Sequence, residues 1–306
     1  MKYKVFTLLP QIFESFVSTS LIARAIDQNI ISINTLNWRD NYGIGNYKQI
    51  DDKPYGGGSG MVLMADPIFR ALKDNDSLGY FAGNLETLEN VEYHEQILPN
   101  NSKFYDKVES SKKTDNPIKK VTISLTPKGY KFDQKVANWL TDFEEISILC
   151  GRYEGFDNRV SEVVDLELSI GDYVTNGGEV PAMVLIEAIS RLLPGFVIKS
   201  GSVNHDSFSS SNNDYLENKE YIIGSRRLKQ MQESGSKKLD YFYPSKSSNS
   251  KTNLFDELHY LENILPLIEH PQYTRPQIWK NLAVPKDALD GDHKTVSKWR
   301  KKWYQR

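Results

Sequence analysis

Between Lys2 and Lys199 the apolar positions switch repeatedly between short continuous runs and a helical period. Val5 to Leu9 is an apolar run of strand length, Ile12 to Asp27 repeats apolar residues with helical spacing, and Ile30 to Trp38 returns to a β-rich run. A further helix begins at Pro67 to Leu72. Val121 to Gly129 reads as a strand that stops at Pro127 and Gly129, and Ile146 to Cys150 as a strand that stops at Gly151. Met183 to Leu193 reads as a helix, with Pro181 suited to its first turn. Strands alternating with helices predict an α/β fold, a mostly parallel sheet covered by helices.

Two stretches interrupt this alternation. Pro99 to Lys120, rich in Asn, Ser and Lys, reads as an exposed loop. Ser209 to Asn253 is dominated by Ser, Asn and Lys, with a short helical island near Tyr221 to Met231, and buries too little apolar surface to offset the entropy of ordering. From Leu254 onward the chain reads as a small helical domain. The expected organisation is therefore a unit over 1–199, a flexible linker with an insertion over 200–253, and a helical unit over 254–306.

Composition narrows the class only a little. With 306 residues and 39% hydrophobic side chains the chain can bury a sizeable core. Its single cysteine, Cys150, sits in an apolar strand and cannot form an intrachain disulfide; a small buried core residue is the simpler reading than a nucleophile. No apolar segment approaches a membrane span, and the run after Met1 is too short for a signal peptide, so a cytoplasmic location is expected. A net charge of −2 argues mildly against nucleic-acid binding. Charge is unevenly spread, however. Lys294, Lys298, Arg300, Lys301, Lys302 and Arg306 crowd the end of the chain with Trp299 and Trp303 between them, and Arg226, Arg227, Lys229, Lys237 and Lys238 form a second basic cluster. Such runs suit either RNA contact or a solvated face.

The candidate chemistry lies in three loops, each at the end of a strand. Ser169 to Met183 passes Gly171, Gly177 and Gly178 before entering a helix, and glycines there let a ligand approach the backbone closely. Gly151-Arg152-Tyr153-Glu154-Gly155 follows the second run, with Asp157 just beyond it. Thr126-Pro127-Lys128-Gly129 ends the third. In open α/β sheets the ligand crevice lies at the carboxyl ends of strands, so the three loops predict one composite pocket. None fits the dinucleotide fingerprint. Gly56-Gly57-Gly58-Ser59-Gly60 lacks the lysine and hydroxyl residue that complete a P-loop. The five histidines and one cysteine show no zinc spacing.

In order along the chain, Pro54 to Val62, Leu125 to Gly129, Gly151 to Gly155, Ser169 to Met183, Arg191-Leu192-Leu193-Pro194-Gly195, Asp206-Ser207-Phe208 and Pro271 to Pro276 resemble the bacterial tRNA (guanine-37-N1)-methyltransferases of the SPOUT superfamily. Ser59 departs from the proline usual in the glycine run, and Asp292 stands where a second histidine is usual. The resemblance implies a trefoil-knotted fold and methyl transfer from S-adenosylmethionine to a tRNA guanine. It also implies a C2 homodimer whose active sites form at the subunit interface. It assigns the cofactor to Leu125, Thr126 and Pro127 around the adenine, and to Gly151, Tyr153 and Glu154 near the ribose and methionine. Ser169, Ile170, Gly171, Asp172, Tyr173, Val174, Thr175, Gly177, Gly178 and Pro181 would wrap the remainder. Glu154 is also a candidate for contact with the target guanine or a magnesium ion. An SPOUT protein acting at another RNA position is the alternative.

Methylating guanine N1 requires removal of its proton as the lone pair attacks, and a donor near O6 stabilises the charge that develops there. The resemblance makes Asp206 the general base and Arg191, fifteen residues earlier, its assistant. Read alone, Asp206 also fits a helix cap or an exposed loop acid, and His205, with an ordinary pKa near neutrality, is a rival base.

Overall fold

The computed structural model describes residues 1–80, 82, 101–114, 117–197 and 270–303. In chain order β1 (Lys2–Thr7) leads through a 3-10 turn at Pro10–Phe13 into α1 (Glu14–Val17) and α2 (Ser20–Asp27), then β2 (Ser32–Asn37) and α3 (Trp38–Tyr42). The hairpin of β3 (Asp51–Asp52) and β4 (Val62–Leu63) spans the early glycine run, and α4 (Ala65–Asp74) and α5 (Asn101–Ser111) follow. Next come β5 (Lys120–Lys131), α6 (Gln134–Leu140), β6 (Glu145–Cys150), β7 (Leu166–Ser169) and α7 (Glu179–Ser190). The described C-terminal stretch holds β8 (Ile278–Trp279), β9 (Leu282–Ala283), α8 (Lys286–Leu289) and α9 (His293–Trp303).

The expected mostly parallel sheet is present. Its strand order is β2-β1-β6-β5-β7, and every neighbouring pair is parallel. Both faces are covered, which is why β6 reads as a continuous apolar run rather than an alternating one. Side chains of adjacent residues nevertheless enter different cores. Val5 and Ile148 join a cluster with Trp139, Leu185 and Ile186, whereas Phe6 and Leu149 join one with Trp38, Ile68 and Leu72. β6 and β7 flank β5 on opposite sides, so the strand order reverses there, and an open sheet has its crevice at such a point.

Three sequence expectations change. The helix expected over Ile12 to Asp27 breaks between α1 and α2. The Ser18 hydroxyl donates to the Glu14 carbonyl at 2.7 Å, and Thr19 is extended (φ −125°, ψ 145°). Short hydroxyl side chains thus compete with the helix for backbone groups. The loop expected over Pro99 to Lys120 contains α5. Phe104, Tyr105 and Val108 recur at helical spacing and are buried, with Phe104 stacked on Phe143 at 6.2 Å between ring centroids. Its polar composition concealed this stripe. Finally, β5 continues past Pro127 and Gly129. Both Leu125 and Tyr130 pair with Leu168, so 126–129 bulge out of the ladder, and proline is tolerated at such a bulge. Gly129 has no alternative there, because a Cβ would lie 2.6 Å from the Leu168 carbonyl carbon.

Candidate functional site

The bulge of β5 and the loops leaving β6 and β7 enclose a cavity of ≈ 520 Å³. It lies at the carboxyl end of the sheet and is within the usual size range of small-molecule sites. The sequence-derived residues converge on it: Leu125, Thr126 and Pro127 on one wall, Gly151, Tyr153 and Glu154 on a second, and Ser169, Ile170, Tyr173, Val174, Thr175, Gly177, Gly178 and Pro181 on a third. Gly171 and Asp172 do not line it. Gly171 makes the bend (φ 154°), and Asp172 turns outward to pair with Lys131 at 2.9 Å. The cavity combines apolar side chains such as Leu125 and Ile170 with polar ones such as Glu154, Glu167 and Ser169, which suits a ligand that is part apolar and part polar.

Local backbone explains how these loops hold their shape. Tyr153 takes a left-handed conformation (φ 59°) and Gly155 another (φ 93°), so the chain turns sharply after β6. The Glu154 N–H donates to the Met61 carbonyl at 3.0 Å, and Leu63 N–H donates to the Gly155 carbonyl at 2.9 Å. Glu154 lies over Gly60, where a Cβ would come within 2.5 Å of its carboxylate. The early glycine run therefore seats a pocket residue. Cys150 ends β6 fully enclosed, and burial pushes its thiol well above the ordinary range, which keeps it protonated and un-nucleophilic. Among the described residues no group of three His, Cys, Asp or Glu side chains is placed to hold a metal. Nor is any helix among them long and apolar enough to cross a membrane.

Arg191 closes α7 at the end remote from the cavity. With twelve helical residues between them and a rise of ~1.5 Å per residue, it stands about 20 Å along the axis from Gly178. It is not among the lining residues. Asp206, His205 and the linker expected over 200–253 lie outside the described residues.

Sequence reasoning missed one wall altogether. Gln272, from the C-terminal stretch, lines the cavity and donates to the Glu154 carbonyl at 3.3 Å. Its own carbonyl accepts from Asn158 N–H at 2.8 Å, while Lys128 reaches the Asn158 side chain at 3.0 Å. Behind this contact lies a buried ion pair. The Asp157 carboxylate accepts from Arg159 Nε (2.9 Å) and Nη2 (2.8 Å), and from the Thr274 N–H (2.7 Å) and hydroxyl (2.8 Å). Arg159 also donates to the Thr274 and Pro276 carbonyls. Asp157 and Arg159 sit two residues apart beside the glycine loop, a spacing visible in the sequence. Their partner at Thr274 was not visible, being more than a hundred residues away.

The rest of the C-terminal stretch packs on the β3–β4 hairpin and α4. Arg275 grips Asp52 in two hydrogen bonds, which holds that carboxyl below its usual range. Trp279 meets Phe69 edge-on at 5.7 Å, and Arg300 donates to the Gly56 carbonyl at 3.1 Å. His270 packs edge-on against Trp299, and burial, with Arg300 and Lys128 nearby, lowers its pKa to about 4. The folded state thus binds this proton less tightly than the unfolded chain. The associated stability is complete above about pH 6.5 and is lost as the pH falls towards 4. His270→Gln is expected to reduce the drop in urea midpoint between pH 7 and pH 4.5; an unchanged drop would show that His270 carries none of it.

The profile of the family described as tRNA (Guanine-1)-methyltransferase TrmD matches residues 1–81, 97–235 and 250–306. The chain is similar to the tRNA (guanine-N(1)-)-methyltransferase of Prochlorococcus marinus (strain MIT 9312), with 34% identity over 97% of this chain and 82% of that protein. It is similar to the enzyme of the same name from Mycoplasmopsis synoviae (strain 53), with 32% identity over 99% of this chain and 91% of that one. A crystal structure of tRNA (m1G37) methyltransferase from Aquifex aeolicus aligns over 100% of this chain and 89% of its own, at 24% identity and a TM-score of 0.46.

Proposed function

The chain belongs to the S-adenosylmethionine-dependent tRNA (guanine-1)-methyltransferase family, and on that premise we propose that it methylates N1 of guanine 37 in tRNA, after guanine 36. The observation that supports the cofactor assignment is the cavity at the carboxyl ends of β5, β6 and β7, whose walls combine apolar side chains such as Leu125 and Ile170 with polar ones such as Glu154, Glu167 and Ser169. S-adenosylmethionine supplies an electrophilic sulfonium methyl when bound. Leu125, Thr126 and Pro127 flank its adenine in this reading, while Gly151, Tyr153 and Glu154 face the ribose and methionine and the loop over 169–178 with Pro181 encloses the rest. Magnesium enters the proposal only as a contact of Glu154.

Asp206 accepts the guanine N1 proton as the N1 lone pair attacks, and Arg191 donates to O6, where negative charge gathers. The remoteness of Arg191 from the cavity in its own subunit supports a shared site. Arg191 and Asp206 of one subunit then serve the cavity of its C2 partner. The same proposal includes the SPOUT knot within 1–199, the linker over 200–253, and a tRNA-contacting unit over 254–306 that carries the basic α9. A cytoplasmic location accords with a tRNA substrate.

The test is methyl transfer from labelled S-adenosylmethionine to two unmodified tRNA transcripts, one with guanine 36 and guanine 37 and one with adenine at 37. Transfer to the first alone is expected. Equal transfer to both would move the target elsewhere in the RNA and favour the reading of an SPOUT enzyme with another position.

A further inference from the structure

We propose that the ion pair between Arg152 and Glu179 is a positioning device that sets the width of the cofactor cavity by tying together the loops after β6 and β7. This rests on the reading that the cavity takes S-adenosylmethionine. Neither residue is needed for the proton transfer assigned to Asp206.

Glu179 opens α7 and its side chain is 2% exposed. Its carboxylate accepts from the Thr7 hydroxyl, at the carboxyl end of β1, at 2.8 Å. It also pairs with Arg152 Nη2 at 2.8 Å. Arg152 lines the cavity and donates from Nη1 to the Asn176 carbonyl at 3.3 Å. One buried carboxylate therefore joins the end of β1, the loop after β6 and the loop before α7. A main-chain bond from Gly178 N–H to the Gly151 carbonyl, 2.8 Å, runs beside it.

The two glycines of this loop acquire a packing reason. A Cβ on Gly177 would lie 2.5 Å from Arg152 Nε and 2.6 Å from Glu179 Oε2, so the ion pair itself occupies the space a side chain would need. A Cβ on Gly178 would lie 2.6 Å from the Cys150 Cα. The pair and the glycines form one fitted unit. Glu179 is the enclosed member of the pair, and losing Arg152 would strand its charge, so the loops have one favourable separation rather than several. A cavity already held at that separation spares the ligand the cost of ordering it.

The experiment compares Arg152→Met, Glu179→Gln and the double variant, measuring S-adenosylmethionine Kd by calorimetry on protein shown to be folded by circular dichroism. The KM for S-adenosylmethionine and kcat are measured at saturating tRNA. Each single change is expected to raise Kd and KM about tenfold and leave kcat within about twofold. The double variant is expected to lose no more than the worse single change, because residues in contact are not additive. Thr7→Val, which removes one hydrogen bond from Glu179, is expected to raise Kd about threefold and stands in for Glu179→Gln if that variant fails to fold. A lowered unfolding midpoint with unchanged Kd would mean a purely structural pair and overturn the inference, as would losses that multiply in the double variant. Wild-type protein that binds no S-adenosylmethionine would overturn the cofactor reading itself, and the inference with it.

Discussion

Asp206→Asn is expected to lower kcat for methyl transfer by about 10²–10⁴-fold, the usual contribution of a positioned general base. Asparagine keeps the size and one acceptor oxygen of aspartate but has no basic site for the N1 proton. Binding of S-adenosylmethionine and of tRNA is expected to persist within a few fold, since the cavity walls come from other residues. His205→Gln separates the two bases. If Asp206 is the base, the histidine change leaves kcat nearly intact. If His205 is the base, the loss moves to that variant. The acid limb of kcat against pH would then also centre near the ordinary histidine value of about 6.5 rather than the carboxylate value of about 4. A mixed dimer of Asp206→Asn subunits with subunits impaired in the cofactor cavity should recover activity if the site is shared. No recovery would return Asp206 to its own subunit.

The largest effect on stability is expected from Arg159→Met. Arg159 is 1% exposed as a side chain and Asp157 is fully buried, with Arg159 giving Asp157 two of its hydrogen bonds. Methionine matches much of the stem but removes the guanidinium, leaving the Asp157 charge to the main-chain N–H of residue 159 and to the Thr274 N–H and hydroxyl. Removing one member of a buried pair costs about 3–5 kcal/mol. The urea midpoint should fall accordingly, and the contact between Gln272 and the Glu154 loop should loosen with it. Adding Asp157→Leu removes the stranded charge and is expected to recover part of the loss. A midpoint unchanged in Arg159→Met would show that Thr274 and the main-chain N–H of residue 159 satisfy the carboxylate without the guanidinium.

Much of the sheet was legible because the two-sided burial of a parallel sheet writes continuous apolar runs into the chain. Ile146 to Cys150 is such a run, and it became β6 with all residues buried. Elements that depend on a partner distant in sequence were less legible. α5 looks polar until Phe104, Tyr105 and Val108 meet Trp139 and Phe143. The hairpin of β8 and β9 is only two residues per strand, too short for any periodicity to register. Glycines were read as ligand-facing, and the loops that carry them line one cavity, yet Gly177 and Gly178 also answer to Arg152, Glu179 and Cys150 in packing.

By itself the sequence determined the alternation of strands and helices, the three strand-terminal loops and the ordered motifs of the methyltransferase family. Each of these is a local property, set by side-chain period, glycine conformation and short-range spacing. The sequence also predicted one composite pocket from the three loops; tertiary structure alone decided that Gln272 closes it from the C-terminal stretch and that Arg191 stands a helix length away. It also decided that Asp157 and Arg159 meet Thr274 in the interior, and that the enclosed Glu179 pairs with Arg152. The physical reason is that burial and ion pairing depend on which surfaces meet after folding, and no short window along the chain contains both Arg152 and Glu179, or both Asp157 and Thr274.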